Sequence, residues 1–446
     1  MAEIDIKGFS GANNVKAKER FFISRAIAEP RVILNADADL TGKLSQRPGK
    51  TLFWTLPGSH SLWSPPTNLC MLCAANGILY RNISGVATSA GTISGPKYPL
   101  SYVEAEGKVY ISNPYWQGVF DPTSNTVSNW GVPQPPGPML LAGDGNLPAG
   151  TYHVCMTNVA TGELSGNGPI TSITLSATGG IQILNRSSGA LVWITDKDEY
   201  QFVLAGALNK IVDTPSAEPL PTFMCSPPPY MGNLCYAFGR IWGSVGPVVY
   251  YSEPYKLGLF KLASGKFTSD STVTIIAKVP TGLFIGMEDH TVFMQGTEPS
   301  EMRQMDAGEG SIKGSLAYCN NLPDLSSVLG TAEKGFTDVP VWLTTEGFVA
   351  GNQSGRLFNL TKNKLKIGIP VQGASLYRNL NGMFQFLTNF KQGFTASGKG
   401  FSDADTIKAF TDGKIVLSEK RFNGMATRVG FSDSATCQVY RGGVEI

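Results

Sequence analysis

Short apolar runs joined by tight turns recur along this chain of 446 residues. Each repeat has an apolar run, a turn residue followed by glycine or its equivalent, and a second apolar run. The repeats span residues 75–80, 105–110, 237–242, 287–293, 345–350, 380–384 and 411–416. Glycine after Asn, Asp or Glu supplies the positive φ of a hairpin turn, and the flanking β-branched and aromatic residues favour strands. The pattern predicts an all-β fold.

Hairpins that recur every 30–60 residues or so are typical of β-propeller blades. The first two turn glycines are Gly77 and Gly107, but the next is Gly239. Proline clusters at 133–138 and 215–229 border the extra segment, whose apolar runs are short and closely spaced. Such spacing indicates a small β-sandwich. Its segments Gly150-Thr-Tyr and Thr161-Gly-Glu resemble a fibronectin-type-III-like module.

We therefore predict a β-propeller of about six or seven blades, formed by residues 51–132 and 226–446, with an inserted fibronectin-III-like β-sandwich at 133–225. Propellers close by pairing strands from the two chain ends. The expected partners are 51–54 and 436–440.

Residues 1–50 form an N-terminal arm in this prediction. Segment 16–29 is compatible with a short helix that Pro30 ends. Segment 35–46 superficially copies a calcium loop, but Leu40 replaces the required glycine and Gln46 replaces the final glutamate. A hairpin rich in Asp and Asn is favoured there.

Composition limits the function classes. Charged residues are 16% of the chain, below the usual share of about a quarter, while Gly (51) and Pro (28) are abundant. This balance fits an all-β protein or a subunit that hides surface in an assembly. The net charge of +2 points to no whole-molecule attraction for nucleic acid. We expect no signal peptide and no membrane span.

No residue set indicates catalysis. The seven cysteines, an odd and dispersed number, indicate buried free thiols of a protein made in a reducing cytosol. Cys70 and Cys73 have zinc-knuckle spacing but lack a second ligand pair. His60, His153 and His290 lie far apart in the sequence with no nucleophile motif. We expect no catalytic residue, no metal and no cofactor.

Lys362, Lys364 and Lys366 alternate with uncharged residues, and Arg356 precedes them. At period two the three ammonium groups project from one strand face. They are candidates for sequence-independent phosphate contacts. The alternative is a charged edge strand that blocks sheet-to-sheet aggregation.

The aromatic segment 249–260 has two interpretations. It either packs locally within a blade or anchors a partner at the surface.

Several motifs, taken in order, carry a family resemblance. They lie at 8–14, 35–39, 42–44, 47–49, 250–255, 258–260, 282–286 and 296–301. Together they resemble the tail nozzle or hub proteins of short-tailed bacteriophages. Proteins of that family resemble β-propellers, assemble as rings beneath the portal and adaptor, and surround the path of the genome. The resemblance makes the three lysines and Arg356 candidates for lining the DNA path.

The expected function is therefore that of a non-enzymatic virion protein, a homo-oligomeric ring around the genome-ejection channel. Its partners would be copies of itself, the portal or adaptor, other tail proteins and passing double-stranded DNA. The alternatives are a tail-tip or baseplate component of a longer-tailed phage, a carbohydrate-active or glycan-binding propeller, and a module that binds the host surface.

Overall fold

A computed structural model describes most of the chain. The described residues are 8–9, 27–28, 36–38, 43–46, 53–65, 67, 69–213, 218–320, 338–361, 370–380, 383–392, 414–416, 427–431, 437–441 and 444–445. Within them the protein is all-β, with small and mainly antiparallel sheets and no helix. The chain forms two compact units. The larger comprises Leu52–Glu288 and Val292–Met305; the other comprises Met1–Thr51, Asp289–Thr291 and Asp306–Ile446.

The N-terminal arm contains two short strand pairs. β1 (Gly8–Phe9) pairs in parallel with β2 (Ile27–Ala28). The helix expected over 16–29 is wrong at Ile27–Ala28, where pairing with a distant strand overrides local helix propensity; residues 16–26 lie outside the described residues. β3 (Ala36–Ala38) pairs antiparallel with β4 (Leu44–Gln46), which confirms the hairpin predicted there.

Two four-stranded antiparallel sheets follow in the larger unit. Sheet A consists of β5 (Ser59–Trp63), β6 (Leu72–Ala75), β7 (Ile78–Ile83) and β8 (Val86–Thr92). Sheet B consists of β9 (Ser101–Ala105), β10 (Lys108–Asn113), β11 (Trp116–Asp121) and β12 (Thr126–Ser128). The turns Asn76–Gly77 and Glu106–Gly107 have positive φ at both residues. Such turns match the twist of the strands they join.

The next nine strands belong to the segment predicted as an insert. They are β13 (Leu140–Leu147), β14 (Gly150–Thr157), β15 (Val159–Ala160), β16 (Glu163–Leu164), β17 (Thr171–Leu175), β18 (Gly179–Ile183), β19 (Leu191–Thr195), β20 (Phe202–Gly206) and β21 (Lys210–Ile211). A three-stranded sheet has the order β13-β18-β21, and a four-stranded sheet has the order β17-β14-β19-β20. Strands β15 and β16 form a separate hairpin. Tyr152, Val154 and Ile194 from one sheet and Ile181 and Ile183 from the other share one buried cluster.

Two further sheets follow along the chain. Sheet C consists of β22 (Gly232–Ala237), β23 (Arg240–Val245), β24 (Val248–Glu253), β25 (Lys256–Phe260) and β26 (Lys266–Thr268); β25 and β26 both pair with β24. Sheet D consists of β27 (Val273–Val279), β28 (Gly282–Met287), β29 (His290–Gln295) and β30 (Arg303–Glu309).

Buried apolar clusters join sheet A to sheet B, sheet B to sheet C and sheet C to sheet D. Leu79 of sheet A packs with Val109 and Phe120 of sheet B. Tyr110 of sheet B packs with Ile241 and Phe260 of sheet C. Trp242 of sheet C packs with Ile285 of sheet D. The first strands β9, β22 and β27 of three successive sheets also lie next to one another.

Sheets B and C pack directly although the insert separates them in sequence. The Trp130 indole Nε1–H donates to the Leu257 carbonyl at 2.8 Å. The Met231 amide donates to Ser112 Oγ at 3.1 Å, and the Leu234 amide donates to Ser101 Oγ at 2.9 Å. Sheets B and C are therefore in direct contact, although β13 to β21 lie between them in sequence.

The second unit contains sheet E, with β31 (Ala317–Asn320), β32 (Asp338–Thr344), β33 (Gly347–Gly351) and β34 (Leu357–Asn359). A long hairpin follows, β35 (Pro370–Leu380) with β36 (Met383–Gln392). The last sheet consists of β37 (Lys414–Val416), β38 (Thr427–Phe431), β39 (Cys437–Arg441) and β40 (Val444–Glu445). Cys319 and Val341 of sheet E pack against Tyr377 and Phe386 of the long hairpin.

The strand expected to close the fold does not form in the described part of 51–54. Phe53 and Trp54 are outside any strand. The C-terminal strand β39 pairs with β38 and β40 of its own sheet. Backbone groups of β39 are thus satisfied locally rather than by an early segment.

Six of the seven predicted hairpins are confirmed by strand pairing. Sheets A, B, C, D and E contain five of them, and β35–β36 is the sixth. The turn of the seventh, at 411–413, lies outside the described residues. The blade number and the domain boundaries remain predictions.

Candidate interaction surfaces

Of the four residues predicted to contact phosphate, the structure describes only Arg356. Lys362, Lys364 and Lys366 lie outside the described residues. Arg356 is exposed in the turn that connects β33 and β34. Its backbone amide donates to Asn352 Oδ1 at 2.9 Å, and its carbonyl accepts from the Asn352 amide at 3.0 Å. Asn352 fixes the turn, and the assignment of Arg356 to a DNA path remains a prediction.

The described cysteines are structural. All six, Cys70, Cys73, Cys155, Cys225, Cys235 and Cys319, are buried thiols, as predicted; the side chain of Cys437 lies outside the described residues. Burial raises the thiol pKa to about 11 at Cys70 and to about 12 at Cys155 and Cys319. Nucleophilic cysteines need the opposite shift, because the thiolate is the reactive form. These three thiols therefore stay protonated at neutral pH.

The three histidines have separate local partners. His60 contacts Ser61 Oγ and the Pro96 carbonyl, each at 2.8 Å. His153 contacts Ser172 Oγ at 2.7 Å, and His290 lies 3.1 Å from the Asp289 carboxylate. Among the residues the structure describes, no three His, Cys, Asp or Glu side chains gather as a metal site. The described part of the chain likewise contains no helix long and apolar enough to cross a membrane.

The aromatic segment 249–260 packs mainly within the fold. Val249 and Phe260 are fully buried. Tyr251 packs against Trp242, with ring centroids 5.0 Å apart. Tyr255 is the exception, because it is 74% exposed in the turn between β24 and β25. Its ring lies over the turn of the neighbouring hairpin, where only Gly239 leaves room for it. Local packing is therefore the better interpretation for most of this segment.

The three-stranded sheet of the insert carries an exposed row of apolar side chains, the apolar row. It comprises Met139, Leu141, Leu184 and Leu208, with exposed fractions between 52% and 71%. The Leu184 amide donates to the Met139 carbonyl at 2.9 Å, so the first and third members are neighbours. Extending the β18–β21 register places Leu208 level with Leu184. Exposed apolar groups gathered in this way are typical of interaction surfaces.

The four-stranded sheet of the insert carries a different feature on its outer side. Tyr200 stacks on His153, with ring centroids 5.3 Å apart and an interplanar angle of 17°. Tyr200 is nevertheless 80% exposed. Sequence reasoning found His153 only as an isolated histidine and missed Tyr200, because a single loop tyrosine carries no periodic signal.

Comparisons with known proteins identify no family. No protein-family model matches the sequence, and no curated protein does. Matching solved structures include a complex of BBS1N with ARL6DN, at 8% identity over 75% of this chain and 90% of the other, with a TM-score of 0.29. PorZ of the Porphyromonas gingivalis type-IX secretion system matches at 11% identity over 84% and 44%, with a TM-score of 0.29. Apo AztD from Citrobacter koseri matches at 11% identity over 75% and 90%, with a TM-score of 0.25. At such TM-scores these likenesses do not bear on function.

Proposed function

We propose that this protein is a non-enzymatic bacteriophage tail component, a β-propeller with an inserted β-sandwich that assembles as a homo-oligomeric ring around the genome-ejection channel. The order of the motifs that resemble the tail nozzle family is the sequence basis. In a virion the ring would lie below the portal and adaptor, and double-stranded DNA would pass through it.

One observation carries the architectural part of the proposal. Sheets A to D are four- or five-stranded antiparallel sheets, and buried clusters join A to B, B to C and C to D. Their first strands are adjacent from sheet B through sheet D. Blades arranged about an axis have both properties. The direct packing of sheet B on sheet C past the insert also fits one continuous series of blades.

The apolar row supports assembly of like subunits. A monomer that exposes neighbouring Met and Leu side chains risks non-specific association unless a partner covers them. Charged residues on and beside this sheet include Asp144, Arg186 and Lys210. The low charge of the whole chain fits extensive subunit contacts. We assign the apolar row to the contact with a second copy.

Transport of DNA through such a ring requires weak contact. Each lysine that binds a phosphate adds a salt-dependent attraction that is independent of base sequence. The three lysines at alternate positions, 362, 364 and 366, are the candidates for this contact. Replacing all three by glutamate in the phage should slow or block genome ejection. Normal ejection kinetics in that mutant virion would remove them from the channel.

The ring itself is tested by light scattering coupled to size-exclusion chromatography, followed by negative-stain imaging. We expect rings with a central hole for the unmodified chain and mainly monomers for Leu184→Asp. Val86→Asp is the matched control, because Val86 is also exposed but lies on sheet A. Monomers of the unmodified chain at high concentration would contradict the ring. Rings that survive Leu184→Asp would contradict only the assigned contact.

A further inference from the structure

The insert presents one aromatic ring to solvent on a rigid support. Tyr200 belongs to the loop between β19 and β20, and one face of its ring rests on His153 of β14. Because the side chain is 80% exposed, the other face is open. Burying that face would remove substantial apolar area from water. The open face of the ring does not itself stabilise the folded chain.

Hydrogen bonds fix the orientation of both rings. The Asp198 amide donates to the Thr151 carbonyl at 2.9 Å, and the Thr151 amide donates to Asp198 Oδ1 at 3.0 Å. This reciprocal pair ties the loop to β14 two residues before Tyr200. His153 is held through Ser172 Oγ at 2.7 Å, while its amide donates to Thr195 Oγ1 at 3.0 Å. The platform of Tyr200 on His153 is thus ordered before any ligand arrives, which lowers the entropy cost of binding.

Polar groups without fixed charge lie next to this platform. Thr151 and Thr174 face each other across β14 and β17, with their hydroxyl oxygens 3.1 Å apart. With Ser172 they form a row of hydroxyls that both donate and accept hydrogen bonds. The loop itself adds exposed carboxylates at Asp196 and Glu199 against one lysine, Lys197.

We propose that Tyr200, supported by His153, is a binding platform for a neutral saccharide. The face of a sugar ring is lined by polarised C–H groups, which the negative face of an aromatic ring attracts. Sugar hydroxyls can pair with the threonine and serine hydroxyls and with the loop carboxylates. The same carboxylates repel anionic polymers, so nucleic acid and acidic polysaccharides are disfavoured as ligands relative to neutral saccharides.

Binding is tested on the full chain by saturation-transfer NMR and calorimetry with four neutral probes: maltohexaose, cellohexaose, chitohexaose and mannohexaose. Polygalacturonate is the anionic comparison. We expect at least one neutral probe to bind with an affinity in the millimolar range or tighter, about −4 kcal/mol or better, and no binding of polygalacturonate. Tyr200→Ala should weaken the binding by about tenfold or more, and Tyr200→Phe should retain it, because the ring rather than the hydroxyl makes the contact.

Tyr255→Ala is the matched control, since Tyr255 is almost as exposed but packs over Gly239 instead of a histidine. It should bind like the unmodified chain. Failure of all four neutral probes, or equal binding by Tyr200→Ala, would overturn the proposal. Disassembly of a ring by Tyr200→Ala without any saccharide binding would assign the surface to a subunit contact instead. The result does not depend on the ring, because a monomer that binds a probe through Tyr200 still supports the platform.

Discussion

Trp130 joins sheets B and C at the level of a single side chain. Its ring is buried between Tyr110, at 5.3 Å between centroids, and Phe260, at 6.2 Å. Its indole N–H donates to the Leu257 carbonyl. Trp130→Ala removes both the packing and the donor and should cost about 3–5 kcal/mol of unfolding free energy. Trp130→Phe keeps most of the packing and should cost less. Urea unfolding followed by circular dichroism measures both, and equal losses would mean that packing contributes little.

The buried thiol of Cys155 should make the free energy of unfolding depend on pH in the alkaline range. Burial raises its thiol pKa from an ordinary 9.0 to about 12. The unfolded chain therefore releases this proton at a lower pH than the folded chain does. The stabilising contribution is complete below pH 9 and is lost as the pH rises from 9 towards 12.

At pH 10.5 the loss from Cys155 should be about 2 kcal/mol relative to pH 8. Urea unfolding at the two pH values measures it. Cys155→Ala, whatever its stability at pH 8, should lose less between them. An identical pH dependence in the two proteins would show that the thiol does not titrate differently on folding.

At the scale of elements, substitutions at two glycines distinguish the cost of a left-handed backbone from the cost of a steric clash. Gly107 has a φ of +74° and open space where a Cβ would be placed. Gly131 has a φ of +85°, but its Cβ would lie 2.6 Å from the Gly258 carbonyl oxygen. Gly107→Ala should cost about 1 kcal/mol, from the left-handed backbone alone. Gly131→Ala should cost about 3 kcal/mol, because overpacking adds to the strain. Comparable values in urea unfolding would mean that the Gly258 backbone moves aside.

The same elements show what the sequence can predict. Hairpins were predictable because turn chemistry and alternating strand residues are local. Strand β13 was not, because Gly143-Asp-Gly-Asn has the composition of a turn. Gly145 instead allows β13 to lie close to β18, because a Cβ on Gly145 would lie 2.7 Å from the Gly180 Cα. Strand β2 depends on a partner about twenty residues away, and the platform depends on where a loop returns, so local patterns do not encode either of them.

At the scale of the whole molecule, we predict that residues 135–224 form a removable module. The chain enters and leaves it at adjacent points, since Gln134 Nε2 donates to the Cys225 carbonyl at 3.0 Å. Residues just before Cys225 contact the insert, and residues just after it contact sheet C. The Thr222 hydroxyl donates to the Ser165 carbonyl of the insert, whereas Ser226 pairs with Phe260 of sheet C.

Replacing residues 135–224 by a short Gly-Ser linker should therefore leave sheets A to D folded. We expect one cooperative urea transition, with amide-exchange protection retained in 101–128 and 232–268, because the sheet B–sheet C contact contains no insert residue. Rings should weaken, since the apolar row is removed with the insert. Adding Trp130→Ala to the shortened chain is the control and should abolish the transition. A shortened chain that loses protection in both sheets, while the full chain keeps it, would show that the insert is part of the folding unit and not a module attached to it.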